Sequence, residues 1–258
     1  MHSVHHGSGR PLVLVPGVGA SSDTWRFILA ELAGQREVVA LDLPGMGRTP
    51  LFKGDVTIAR YADALESFLR AEELADADLV GSSLGARLVL EMARRGVGRS
   101  TVALDPGGFW SPLQKKVFGT SLSASVALVR ALRPALPALL ATPVGRTLLL
   151  AQLSARPWAI PADFALSEIR GLADSPGSGP SIRALAHGPN QEGAPTGTLP
   201  GPVLIVWGKQ DRVTTPGQAH RAAELFPDAK FELFDSCGHF PHWDQPERTA
   251  RTILDATA

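Results

Sequence analysis

The chain has 258 residues, 25 basic and 25 acidic side chains for a formal net charge of +0, 44% hydrophobic and 19% charged residues, and one cysteine. That length and apolar share allow one large core, while balanced charge leaves no electrostatic footprint for nucleic acid or an anionic membrane. A single cysteine excludes an internal disulfide, no apolar run is long enough to span a bilayer, and the N-terminus lacks a basic region followed by a long apolar stretch, so a cytoplasmic protein is expected.

In chain order, a short edge strand at 3–5 precedes the first strong apolar strand at 12–15. A helix at 24–32, a strand at 38–41, a helix at 58–72, a strand closing at 79–80, a helix at 84–94 and a strand at 101–104 follow. After a long interruption, strands at 203–206 and 231–234 alternate with helices near 217–225 and 247–255. Such alternation means a parallel sheet with helices packed on it. His5 and His6, the only adjacent histidine pair, precede the first strong strand and have no cysteine or carboxylate cluster at ligand spacing; they read as solvated, and no metal is expected.

Over 109–198 the alternation stops. Here the sequence is rich in leucine and alanine and is broken by Pro134, Pro137, Pro143, Pro157 and Pro161. The breaks predict short amphipathic helices near 120–132, 135–141, 145–155, 161–173 and 181–187. Their apolar side chains, Leu122, Val126, Leu148, Phe164 and Leu166 among them, are expected to face inward. Arg130, Arg133, Arg146, Arg156, Arg170 and Arg183 are expected to cover the outer face.

The stretch "LVGSSLGARLV" carries the first chemical signal. A buried strand ends at Val80 and a leucine-rich helix starts at Leu84, so Ser83 sits in the tight turn between them. A central residue in such a turn is held in a strained conformation, and the positions two before and two after must lack side chains; Gly81 and Gly85 meet that need. The hydroxyl then points out above the sheet, with the Leu84 backbone N–H at a helix N-terminus facing the same space. A serine is barely nucleophilic at its own pKa, so this requires a histidine base and an acid to orient it. Asp211 follows the strand at 203–206 and His239 follows the strand at 231–234. Both lie past the carboxyl ends of strands, where open parallel sheets build their active sites.

Taken in order, "GSSLG", "WGKQDRVTTP" and "CGHFPHWDQPE" resemble the α/β-hydrolase family in its serine, acid, histidine sequence, and "LVLVPGVGASSDTW" and "VVALDLPGMGRTP" are similar to the family's oxyanion loop and the segment after its next strand. The resemblance covers nearly the whole chain. It implies an α/β fold: a mostly parallel α/β-hydrolase sheet flanked by helices, a helical cap inserted after the sixth family strand, and an N-terminal edge hairpin that is largely absent. The organisation it implies is core over 1–108, cap over 109–198 and core again over 199–258. Ser83 becomes the nucleophile, His239 the base, Asp211 its orienter, and the N–H groups of Val18 and Leu84 the oxyanion hole. Two features depart from the usual pattern. The oxyanion loop has Pro16-Gly17 where His-Gly is common, and Asp105 ends the strand at 101–104, a position from which some members supply the acid. Asp105, Phe109, Trp110 and Trp243 are the expected pocket residues, while His242 is expected to cap the last helix and Cys237 to be an inert small neighbour of the histidine.

These residues imply a serine hydrolase of small to medium apolar carboxylic esters, lactones or thioesters, working without a cofactor on a small-molecule substrate, with neither nucleic acid nor membrane as partner. The pattern does not set the oligomeric state. A cofactor-free lyase or C–C bond hydrolase is the alternative, because Trp243 follows His239 by four residues, and a non-catalytic binding module is the third reading.

Overall fold

A computed structural model describes residues 1–258. The first half contains β1 (Ser3–His6), β2 (Pro11–Val15), α1 (Arg26–Ala33), β3 (Glu37–Leu41), α2 (Ile58–Ala71), β4 (Asp78–Ser82), α3 (Leu84–Arg94) and β5 (Thr101–Leu104). Five helices then run without a strand: α4 (Pro112–Ala131), α5 (Leu136–Ala141), α6 (Pro143–Leu150), α7 (Ala162–Asp174) and α8 (Ser178–His187). The chain closes with β6 (Val203–Gly208), α9 (Ala219–Leu225), β7 (Lys230–Phe234), α10 (Pro241–Asp244) and α11 (Pro246–Ala256).

The seven strands form one sheet in the order β1-β3-β2-β4-β5-β6-β7. Every pairing is parallel except that of β1 with β3, which gives the sheet one short antiparallel edge strand. Successive side chains in a strand point to opposite faces, and the sheet divides its core accordingly. Leu12, Leu14, Val38, Ala40, Val80 and Val102 pack on one face with Trp25, Ile28 and Leu32 of the first helical region and Ala250 and Ile253 of α11. Val13, Val15, Val39, Leu41, Leu79 and Ala103 pack on the other with α2 and α3. A strand covered on both faces must be apolar throughout, which is why Leu12, Val13, Leu14 and Val15 are all fully buried. Each such side chain contributes about 1.5–3 kcal/mol relative to an exposed one.

Helix bounds in the core lie close to those expected, and α3 coincides with the predicted 84–94. In the strandless stretch two differ by more than three residues. Helix α4 starts at Pro112, eight residues before the predicted start, because Ser111 and Gln114 form a reciprocal capping box around a proline in the first turn. Helix α6 ends at Leu150, short of the predicted 155, and the chain passes on through a turn at 151–153. No single helix is long and apolar enough to cross a membrane.

Candidate active site

Ser83 occupies the turn between β4 and α3 with φ 55° and ψ −111°, a strained conformation for a residue with a side chain. Two glycines make it possible. A Cβ at Gly81 would collide with the Gly85 carbonyl, and one at Gly85 would collide with the Val15 carbonyl of the neighbouring strand. The helix therefore starts hard against the sheet, and the serine stands clear of it.

His239 lies in the loop after β7, with its backbone N–H bonded to the Leu153 carbonyl at 3.0 Å. Its Nε2 is 2.8 Å from Ser83 Oγ, and its Nδ1 is 2.9 Å from Asp211 Oδ2. Asp211, in the loop after β6, also accepts from the Val213 N–H at 2.7 Å, the Thr214 N–H at 3.1 Å and the Thr214 hydroxyl at 2.7 Å. The histidine loop has its own anchor, since Asp244 accepts from the Gly238 N–H at 2.7 Å, the Ala155 N–H at 2.8 Å and the Ser154 hydroxyl. This carboxylate ties the base to the segment following α6, a role that sequence patterning did not single out.

Asp105 ends β5 behind the Asp211–His239 pair rather than in the cavity wall. Its Oδ1 accepts from the Gly208 N–H at 2.8 Å, and its Oδ2 is buried without a donor. Burial, followed by the Asp211 charge, pushes its carboxyl well above the usual carboxylate range, which favours its neutral form beside Asp211. Asp105, Asp211 and His239 place ligand-type atoms within 4.8 Å of one another, but hydrogen bonds already engage both nitrogens of His239.

Val18 sits beside Ser83 in the cavity wall, and its N–H has no protein acceptor. Leu84 is the first residue of α3, so its N–H belongs to the helix's unpaired first turn. The loop passes close to the serine at Gly17, where a Cβ would come within 3.1 Å of the Ser83 Cβ and push on it. Asp42 braces the loop from below by accepting from the Ser22 N–H at 2.7 Å and the Arg48 N–H at 2.8 Å.

The cavity over Ser83 is narrow, about 40 Å³, and ten of its thirteen lining residues are hydrophobic. Val18, Val213, Phe240 and Trp243 line it from the sheet side, and Phe118, Leu122, Leu172 and Leu185 line it from the helices between β5 and β6. Of the expected pocket residues, only Trp243 lies there. Phe109 packs against Trp207 and Phe226 with ring centroids 6.3 and 6.2 Å away, and Trp110 stacks on Phe118 at 4.7 Å. Both are buried in the core, beyond a segment in which Asp105 and Gly108 have positive φ, 48° and 117°. His242 is buried against Trp25 at 4.5 Å, neither ring nitrogen has a partner, and burial lowers its pKa to about 3, so it packs as a neutral ring instead of capping a helix. The buried Cys237 thiol is pushed far up by burial and by the carboxylates around it, and stays inert.

Sequence reading missed Glu168, which lines the cavity from α7. The signal was present: Phe164, Ala165, Glu168, Ile169, Leu172 and Ala173 are the buried positions of that helix, and their spacing puts the glutamate in the middle of the apolar face.

A hydroxyl bonded to an imidazole that is itself held by a carboxylate, with two free N–H groups alongside, can attack an acyl carbon and stabilise the resulting oxyanion. Known proteins agree at the level of family and fold. An uncharacterized protein of Mycobacterium tuberculosis is 28% identical over 263 residues, covering 94% of this chain and 73% of the relative. A 2-hydroxymuconate semialdehyde hydrolase of a Pseudomonas species is also 28% identical over 263 residues, covering 95% of this chain and 84% of its own. Among solved structures, a thermophilic esterase from Thermogutta terrifontis superposes with a TM-score of 0.74 at 20% identity, covering 98% of this chain and 91% of the esterase. The model of the alpha/beta hydrolase family matches residues 12–252, nearly the whole length, and the chain belongs to that family.

Proposed function

We propose that the protein is a serine hydrolase cleaving small to medium, mostly apolar carboxylic esters, with lactones and thioesters as near neighbours, through an acyl-enzyme on Ser83. The observation that carries this reading is the unbroken chain Ser83 Oγ to His239 Nε2 at 2.8 Å and His239 Nδ1 to Asp211 at 2.9 Å. In the first half-reaction His239 takes the serine proton as the oxygen attacks the ester carbonyl. The N–H groups of Val18 and Leu84 bind the oxyanion, and His239 returns the proton to the departing alcohol. In the second, His239 activates a water that releases the acid, while Asp211 holds the imidazole tautomer throughout.

Residues 109–198 act as the cap in this reading, because their helices supply the roof side chains Phe118, Leu122, Leu172 and Leu185. A cavity of about 40 Å³ holds only about three waters. Substrate binding therefore requires the lining side chains to give way, and short acyl chains are favoured. A C–C bond hydrolase is the second reading, supported by Trp243 in the cavity wall and by the name of the Pseudomonas relative.

Turnover of p-nitrophenyl esters of graded chain length by the wild type and by S83A tests the proposal. Activity should climb over short acyl chains, each added methylene contributing about 0.8 kcal/mol until the pocket is full, and should vanish in S83A. Hydrolysis that survives in S83A, or ring-cleavage diketones turned over in preference to every ester, would refute it.

A further inference from the structure

Apart from His239, Glu168 is the only ionisable residue in the cavity wall. It is 8% exposed, and its neighbours fix the direction of its hydrogen bonds. The Trp243 indole Nε1 donates to Thr24 Oγ1 at 3.2 Å, and the Thr24 hydroxyl lies 3.1 Å from Glu168 Oε2. An indole can only donate and takes one of the two lone pairs of the Thr24 oxygen; Glu168 Oε2 is the one acceptor within reach of the hydroxyl proton, so Thr24 donates to it. Oε2 is thus an acceptor, and any proton on the carboxyl must reside on Oε1. That oxygen has no protein partner, and the group lines the cavity.

Burial raises the Glu168 carboxyl to about 8; the nearby Asp23 charge adds to the rise, while the Thr24 hydroxyl and Arg26 oppose it. The rise favours the protonated form near neutral pH, and in that form the O–H sits on Oε1, the oxygen without a protein partner. None of the six cap arginines lines this wall. Arg130 donates to the Ala173 carbonyl, Arg133 pairs with Asp174, and Arg146 holds the carbonyls of Leu140, Ala141 and Trp158.

We propose that Glu168 is a specificity-determining residue that donates a hydrogen bond from Oε1 to an uncharged oxygen acceptor on the substrate, so that preferred substrates carry a carbonyl, ether or hydroxyl besides the bond that is cleaved. The proposal rests on Ser83 being the nucleophile. A buried donor in an otherwise apolar wall loses its bond when the ligand has only hydrocarbon there, and this sets the discrimination.

The test compares matched esters: p-nitrophenyl 4-oxopentanoate and 3-methoxypropanoate against pentanoate on the acyl side, and 2-methoxyethyl acetate against butyl acetate on the alcohol side. The readout is the oxygenated-to-hydrocarbon ratio of kcat/KM in wild type, E168Q and E168L, which cancels the intrinsic reactivity of each ester. In at least one pair the ratio should fall about tenfold in E168L, roughly one neutral hydrogen bond. E168Q should recover most of it, because its carbonyl still accepts from Thr24 while its amide N–H donates to the cavity. Labelling of Ser83 by a fluorophosphonate ester reports whether each variant is folded and whether the nucleophile is competent. Labelling with an unchanged ratio in E168L overturns the proposal and leaves the nucleophile standing, whereas no labelling of the wild type removes both. Preference for aminoalkyl esters that E168Q abolishes would overturn it in favour of an ionised carboxylate binding a cation.

Discussion

The sheet and the helical stretch between β5 and β6 are built from similarly apolar sequence, yet they expose function in different ways. In the sheet, side-chain direction follows from a period of two, and catalytic residue types fall at the ends of strands, so Ser83, Asp211 and His239 converge wherever parallel strands are paired in register. In the helices, an apolar face only has to meet another apolar surface. Which residues reach the cavity then depends on how α4, α7 and α8 are tilted against one another. Leu122 reaches it, Leu148 is 76% exposed on the outer surface, and Glu168 takes a place that periodicity assigns to a hydrophobe. The strand ends hold Ser83, Asp211 and His239, and the helical layer over them supplies Phe118, Leu122, Glu168, Leu172 and Leu185 to the cavity wall.

The sharpest way to break this contrast is at the two acids. Asp211→Asn should lower kcat by about 10⁴, since the amide leaves the imidazole in the wrong tautomer. Asp105→Asn should keep most activity: its carbonyl can accept from Gly208, and its neutral amide replaces a carboxyl whose ionisation burial and Asp211 oppose. The opposite ranking in steady-state kinetics would move the orienting role to Asp105. Next in size is packing. Leu14→Ala, in a fully buried strand, should cost about 2–5 kcal/mol in denaturant unfolding.

A smaller effect should appear in the pH dependence of stability. Folded Glu168 keeps its proton up to about pH 8, whereas unfolded it ionises near 4.5. Between those values the unfolded chain binds fewer protons, so this residue makes stability fall as pH rises and adds no further slope above about 8. E168Q removes that contribution, and its melting temperature should gain on the wild type progressively from pH 5 to pH 8; a constant difference would show that Glu168 is ionised when folded. The smallest effect belongs to the outer surface of the helical layer, where Leu148→Ser should stay within about 0.5 kcal/mol of wild type and leave kcat/KM unaltered.

How far the sequence was legible follows the same division. The strand cores, α3 and the three residues of the serine–histidine–acid chain could be read because each lies next to an apolar run whose end is marked by glycine or a polar loop. The early start of α4 was also written in Ser111, Pro112 and Gln114, a capping box within a stretch whose other prolines pointed to breaks. Phe109 and Trp110 could not be placed from patterning, because they follow an irregular segment whose backbone passes through positive φ at Asp105 and Gly108. Asp244 is invisible to motif reading, since its value lies in joining the nearby Gly238 N–H to the Ala155 N–H, 89 residues away in sequence. Glu168 could have been found by asking why a carboxylate stands between Phe164 and Leu172 on a buried face.

The most direct measurement is the mass and position of the adduct formed with a fluorophosphonate ester. If the turn between β4 and α3 presents an activated nucleophile, one equivalent adds to the intact protein, peptide mapping finds it on Ser83, and S83A and H239A are not labelled. Wild-type protein that stays unmodified, or an adduct on another residue that persists in S83A, would contradict it.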